Sequence, residues 1–464
     1  MTRLVAGLDL GSTGLKVLVV DADTTAPSGP GRELLVRQRP TPWRAGPGGT
    51  TDLSAEDLLA ALADLLAEVA DLLPDLPGVE PGSRVEALAV SGMGETGFLL
   101  DAEDRVVAPG CAWFDPRGAE QVAALPEDLR RGFAGRTGLP WGVQVSVAKV
   151  LHLRDGGLDL TGLQWLSVPE LVVAAAGGRR AAELSLASRT GLLDQDTGLA
   201  WPEMLAHVGV DETFLPPLVP AGTPLGTADA DWLPASFAGA SLTVAGHDHL
   251  VSAVSGGAIP GDRYHVSTGT AEVLLRVVDE PPSAAARERL GQALVNCVRH
   301  VVPGQHVLVA GVKTGLLMRR VLQMAGISDR AGRDRLDEAV LALGGRSALP
   351  EGGVEVHGAR NDDGVLRLVV RTDGLSPAEL FAAVLEHGND EVALLVEAMD
   401  REVPPAASSL LTGGWAGMRS VAEARARVLP DVTVSARAED TAHGAALFAA
   451  RLLPDARLAP ATAG

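Results

Sequence analysis

A chain of 464 residues, 46% apolar and 21% charged, has material for two or three folded domains and reads as globular, not disordered. A formal charge of −20 excludes nucleic acid and anionic membrane as principal partners, and with aromatics at 3% the core must be built from Leu, Val and Ala. Cys111 and Cys297 fit neither a metal spacing nor a disulfide framework. With a first segment too short and polar for a signal peptide and no membrane-spanning apolar run, these features predict a cytoplasmic protein.

The first predicted elements are two apolar strands, Leu4-Val5-Ala6 and Val17-Leu18-Val19-Val20, joined as a hairpin through Asp9-Leu10-Gly11-Ser12-Thr13-Gly14-Leu15-Lys16. Glycines in such a turn let backbone N–H groups face an anion. Asp9 repels phosphate directly, so it fits only with a divalent cation and its water between them. The turn thus suits a metal-bound polyphosphate held by Gly11, Ser12, Thr13 and Lys16, with Asp9 toward the divalent cation. Similar turns also occur in hairpins that bind nothing, where Asp and Ser satisfy turn backbone. Lysine occurs only at positions 16, 149 and 313, which makes one in this turn notable.

Residues 24–49, rich in Pro, Gly and Arg, read as a surface excursion. Ser54 and Asp57 resemble a capping pair for a helix in which Leu58, Leu59, Leu62, Leu65, Leu66 and Val69 follow helical spacing. Val85–Val90 reads as a buried strand ending at Gly92-Met93-Gly94-Glu95, and ligands gather at such ends. Met93 and Glu95 are candidate substrate contacts. Trp113-Phe114-Asp115-Pro116-Arg117 either lines a polyol site, with Trp113 against C–H faces and Asp115 accepting hydroxyls, or is an internal Asp–Arg pair. Residues 130–201 read as mostly helical, and Ser185–Trp201 carries turn signals with little core pattern.

Pro216–Pro234 marks the expected domain boundary, giving domains 1–240 and 241–464. A strand then ends in His247-Asp248-His249. Asp248, ahead of a small helix and a second turn, is placed to act as general base. Adjacent strand residues face opposite sides, so three consecutive ligands to one metal are not expected. The second turn, Ser267-Thr268-Gly269-Thr270, repeats the phosphate-type hairpin. Ser376-Pro377-Ala378-Glu379 starts a helix running to about Met399. Gly413-Gly414 either admits a base or ribose or is a plain strand–helix junction, and His443-Gly444-Ala445-Ala446 opens a close-packing terminal helix.

Taken together, these stretches resemble the FGGY family of carbohydrate kinases within the actin-like ATPase superfamily. The resemblance rests on Asp9 to Thr13, Trp113-x-Asp115-x-Arg117, Asp248, Ser267 to Thr270, Gly413-Gly414 and Gly444-Ala445-Ala446, in family order over nearly the whole chain. It implies an α/β protein of two ribonuclease-H-like domains with an interdomain cleft. It also implies ATP and Mg²⁺ as cofactors, ATP contacts at Thr268, Gly269, Thr270, Gly413 and Gly414, and a small sugar or polyol as substrate. Family members are often dimers, so a homodimer is an allowed state. Gly94 stands where glycerol-type members keep an arginine, and His249 where Asn or Gln is usual. The first change implies a roomier pocket without that multi-donor clamp, with Glu95 as main hydroxyl acceptor. The expected substrate is a four- to six-carbon ketose or polyol, as for xylulose-type members. The competing readings are a nucleotide-switched binding protein and an idle sugar sensor of the same superfamily.

Overall fold

The computed structural model describes residues 2–26, 29–256, 261–344, 353–360, 367–435 and 439–454. It divides into two compact units. The first comprises Met1–Ile259, Val298–His306 and Asp440–Gly464, and the second Pro260–Cys297 and Val307–Glu439.

In the first unit, Leu4–Leu10 (β1) and Gly14–Ala26 (β2) pair antiparallel, with Asp9 opposite Lys16. Gly29–Pro40 (β3) continues the meander against β2. This corrects the expected surface excursion, because much of it is an edge strand. Its arginines hid it: Arg37 reaches Glu68 at 2.9 Å on the helix Ala55–Leu72, so charged stems cover apolar surface here. Val85–Gly92 (β4) lies parallel to β1, and Ser241–His247 (β5) lies parallel to β4. Leu8, Leu10, Leu15, Val17, Leu62, Leu66, Leu88 and Val90 belong to the core on this sheet. The helix Ala55–Leu72 begins as its cap predicts, with Ser54 Oγ accepting the Asp57 N–H at 3.3 Å.

The expected division at 240/241 is displaced. β5 and the following helix, Asp248–Ala253, belong to the first unit because β5 hydrogen-bonds to β4. The terminal helix Asp440–Ala450 belongs there too. It passes so close to β1 that any side chain at Gly7 would collide with the Ala442 carbonyl and the Ala446 nitrogen. The small residues of His443-Gly444-Ala445-Ala446 serve that packing.

The second unit repeats the scheme. Arg263–Thr268 (β6) and Glu272–Val278 (β7) form the hairpin; Asn296–Arg299 (β8) and His306–Val312 (β9) extend the sheet beyond β7. Ser408–Thr412 (β10) lies parallel to β6, and Val432–Val434 (β11) lies parallel to β10. A hairpin followed by parallel strands on one side is thus common to both sheets. The helix Pro377–Asp400 starts on the predicted capping box of Ser376 and Glu379. No helix among the described residues is long and apolar enough to cross a membrane.

Candidate active site

The first turn is rigidly held. The Gly11 N–H closes it on the Gly14 carbonyl at 3.1 Å. The carbonyls of Gly11 and Ser12 are drawn aside by Thr41 Oγ1 at 2.6 Å and Trp43 Nε1 at 2.7 Å. The N–H groups of Ser12 and Thr13 meet no acceptor among the described residues, so they remain as donors at the hairpin tip. Asp9 is buried beside the turn, on the same face of the hairpin as Lys16. A carboxylate oxygen beside such a turn is the hard donor that suits Mg²⁺.

At the ends of β4 and β5 the first unit gathers Glu95, Arg189, His247, Asp248 and His249. The strand stops at His247 and Asp248 opens the helix, so the strand-alternation argument against both histidines facing one group does not hold. His247 Nε2 lies 3.4 Å and His249 Nε2 3.9 Å from Asp248 Oδ1, which also accepts the His249 N–H at 2.6 Å. Oδ2 has no partner among the described residues, and the side chain keeps 18% of its exposure. Burial pushes the His247 imidazole down to about 4, so it is neutral at physiological pH. Burial works to raise the Asp248 carboxyl, but His249, His247, the His249 N–H and Arg189 outweigh it and hold it below the usual carboxylate range. The strand end is positioned by Ser185 Oγ, which accepts the His247 N–H at 3.0 Å while donating to Glu183 Oε2 at 2.5 Å.

Glu95 is where the sequence placed it but not as a lone acceptor. Arg189 Nε donates to its Oε1 at 2.7 Å, and Arg189 Nη2 donates to the same oxygen. The expectation of a roomier pocket at Gly94 is corrected as well. A Cβ there would lie 2.6 Å from Arg189 Cγ and 2.9 Å from His247 Cδ2. The space is filled by an arginine arriving from another part of the chain.

Two expected substrate contacts are reassigned. The Asp115 carboxylate is 0% exposed and saturated: Oδ1 accepts Arg117 N–H at 2.8 Å and Nε at 2.9 Å, while Oδ2 accepts Thr51 N–H and Arg117 Nη2, both at 2.6 Å. Lys149 Nζ, donating to the Asp115 and Arg117 carbonyls, clamps the same loop. Asp115 therefore has no oxygen left for a sugar, and the internal-pair alternative is the correct one. Met93 is buried in the first unit's core, leaving little of it to meet a ligand. Trp113 is half-buried and edge-on to exposed Phe114 at 5.3 Å.

In the second unit, the Gly269 N–H closes the turn on Ala271 O at 3.0 Å, and exposed Thr270 accepts Arg319 Nη2 at 2.9 Å on its hydroxyl. Thr268 is corrected: buried, its Oγ1 donates to Thr412 O at 2.7 Å, leaving no donor for phosphate. Gly413, at φ +90°, packs where a Cβ would lie 2.7 Å from Thr268 O, whereas beside Gly414 there is open space. The helix Thr314–Met324 begins against this turn, since a side chain at Gly315 would strike Gly269 O.

The profile of the N-terminal domain of the FGGY family of carbohydrate kinases matches residues 4–255, more than half of the chain. The chain belongs to the FGGY family of carbohydrate kinases. It is accordingly a phosphotransferase with an alcohol acceptor, an ATP-dependent sugar kinase, and the switch and sensor readings are not favoured. It is similar to the xylulose kinase of Streptomyces rubiginosus, 27% identical over 97% of this chain and 88% of that one. It is also 28% identical to the L-fuculokinase of Salmonella typhi over 41% of each chain, so that match spans under half of the relative. The crystal structure of xylulose kinase from Rhodospirillum rubrum superposes with a TM-score of 0.79 at 21% identity, covering 97% of this chain and 89% of that one, which shows the shared α/β fold.

Within this kinase, no local sequence pattern assigns Thr41, Trp43, Ser185, Arg189 or Arg319 its contact. Thr41 and Trp43 sat in the supposed excursion. Arg189 had a signal, a lone charge in the run Ser-Leu-Ala-Ser-Arg-Thr-Gly-Leu-Leu, but nothing local named its partner.

Proposed function

We propose that this kinase transfers the γ-phosphoryl group of ATP to a hydroxyl of a four- to six-carbon ketose or polyol, with xylulose the foremost candidate. The observation that carries the reading is Asp248: an ionised carboxylate fixed through Oδ1, with Oδ2 left to accept a hydroxyl proton. The xylulose kinase relative, matched over most of both chains, supports the ketose. Glu95 Oε2 takes a second hydroxyl, and Trp113 and His249 border the acceptor. Ser12 and Thr13 N–H groups, with Lys16, bind phosphate oxygens from the first unit. The second unit carries a turn of the same kind at Gly269 and Thr270, where the Gly269 N–H is spent on Ala271 O and Thr270 is the phosphate-facing candidate, and the open space beside Gly414 leaves a side-chain-free approach for a nucleoside. Asp9 is the residue that would hold Mg²⁺ through its waters; when bound, the ion offsets phosphate charge. Phosphoryl transfer is dominated by positioning and charge stabilisation, so a low-pKa base suffices to receive the proton at Oδ2 late in the reaction. The protein acts in the cytoplasm, and neither nucleic acid nor membrane enters the reaction.

The test is ADP release with Mg-ATP across pentuloses, hexuloses, tetritols, pentitols and glycerol. A ketopentose should rank first. Preference for glycerol over every longer acceptor, or ADP release indifferent to acceptor, would overturn the reading.

A further inference from the structure

Arg189 and Glu95 are 8% and 9% exposed, in the same pocket as His247 and Asp248. Burying an ion pair is costly, and well-packed apolar residues would serve stability as well or better. This pair is not even fully satisfied: buried Arg189 Nη1 has no partner among the described residues. Its geometry is also unusual. Both Nε and Nη2 converge on Oε1 instead of spanning the two oxygens as a fork. Oε2 is thereby left without a partner among the described residues and still accessible.

We propose that Arg189 is the positioning residue of the acceptor site: seated over Gly94, it fixes Glu95 by one oxygen so that the other receives a substrate hydroxyl. The inference rests on the reading of Glu95 and Asp248 as the acceptor site. Gly94 and Arg189 form one device, since a side chain at 94 would occupy the space of Arg189 Cγ. Two carboxylate oxygens, Glu95 Oε2 and Asp248 Oδ2, then face the acceptor, and both only accept hydrogen bonds. The site therefore selects molecules that present two hydroxyl donors at a set spacing, and one lacking the second hydroxyl strands Oε2.

The experiment compares Arg189→Met, Arg189→Lys, Glu95→Gln and the Arg189→Met/Glu95→Gln double variant, with D-xylulose as acceptor. Arg189→Met should cut kcat/KM for D-xylulose by about tenfold to a hundredfold, mainly through KM, with KM for ATP unchanged. Arg189→Lys should recover part of that loss. The double variant should be no worse than the poorer single one, because both remove the same positioned oxygen. Arg189→Met within about twofold of wild type, losses that multiply in the double variant, or an equal rise in KM for ATP would overturn the proposal. If Arg189→Met does not fold, Gly94→Ala decides: it keeps both charges but crowds the guanidinium stem, and must lower kcat/KM in the same sense. An indifferent Gly94→Ala refutes the device. A wild-type enzyme inert toward every acceptor would overturn the acceptor site itself, whereas an active one with an indifferent Arg189→Met would overturn only the role of Arg189.

Discussion

Replacing Asp248 with Asn tests the assignment of the base while nearly preserving shape. The Asn Oδ1 can still accept the His249 N–H, a 2.6 Å bond in the native chain, so the start of the helix Asp248–Ala253 should hold. What disappears is the charge and the proton acceptor at Oδ2. General-base catalysis contributes about a hundredfold to ten-thousandfold, or roughly 3–5 kcal/mol of barrier. Phosphoryl transfer asks little of proton removal before the transition state, which puts the expected loss of kcat at about a hundredfold to a thousandfold. Binding of ATP should be unaltered, while thermal stability at neutral pH should fall somewhat, since the fold favours the ionised carboxylate that the substitution removes. The pH profile adds a second check. A carboxyl held below its ordinary value of 3.8 is ionised at every higher pH, so activity that depends on it is lost only as pH falls through that depressed value. Wild-type kcat/KM should therefore show no acid limb near pH 6 due to Asp248. The assay is coupled ADP release with the acceptor ranked first in the screen. Turnover of the Asn variant within about threefold of wild type, below any general-base contribution, would refute the reasoning, as would an acid limb near pH 6 that vanishes in it.

Gly413→Ala should destabilise the second unit by about 2–4 kcal/mol, from left-handed backbone strain and the 2.7 Å approach to Thr268 O, and weaken ATP binding; urea unfolding and KM for ATP would show it. Trp43→Phe removes one hydrogen bond to Ser12 O, so KM for ATP should rise about threefold to tenfold, from roughly 0.5–1.5 kcal/mol, while KM for the acceptor stays put in steady-state assays. Asp115→Asn should cost about 2–3 kcal/mol at pH 7, less than a fully buried pair because Arg117 retains Asp52, while kcat/KM of the folded enzyme barely changes. Burial works to raise the Asp115 carboxyl, yet Arg117 and the backbone N–H groups of Thr51 and Arg117 lower it overall. Its stabilisation is thus present above pH 3.8 and lost as pH falls through the depressed value, and denaturation at pH 7 and pH 3 should show the deficit of Asp115→Asn shrinking in acid.

The features legible in the sequence are those set within a few residues of one another. The β1–β2 hairpin and its Gly11-Ser12-Thr13 tip follow from two apolar runs and turn chemistry, and the Ser54 and Ser376 caps bond to backbone three positions on. Asp248 was marked by its place at the end of a strand. The tertiary structure decided what parallel pairing brings together. β5 joins β4 and the terminal helix returns to Gly7, which moved the domain division and put Asp248 in the first unit. Arg189 meets Glu95 from 94 positions away and fills the space that Gly94 leaves, a partnership no local pattern encodes. Asp115 and Thr268 carry the same functional groups whether they bind ligand or hold a loop. Only the donors and acceptors around them, supplied by Arg117 and Thr51 in one case and Thr412 in the other, determine which hydrogen bonds they have left to give.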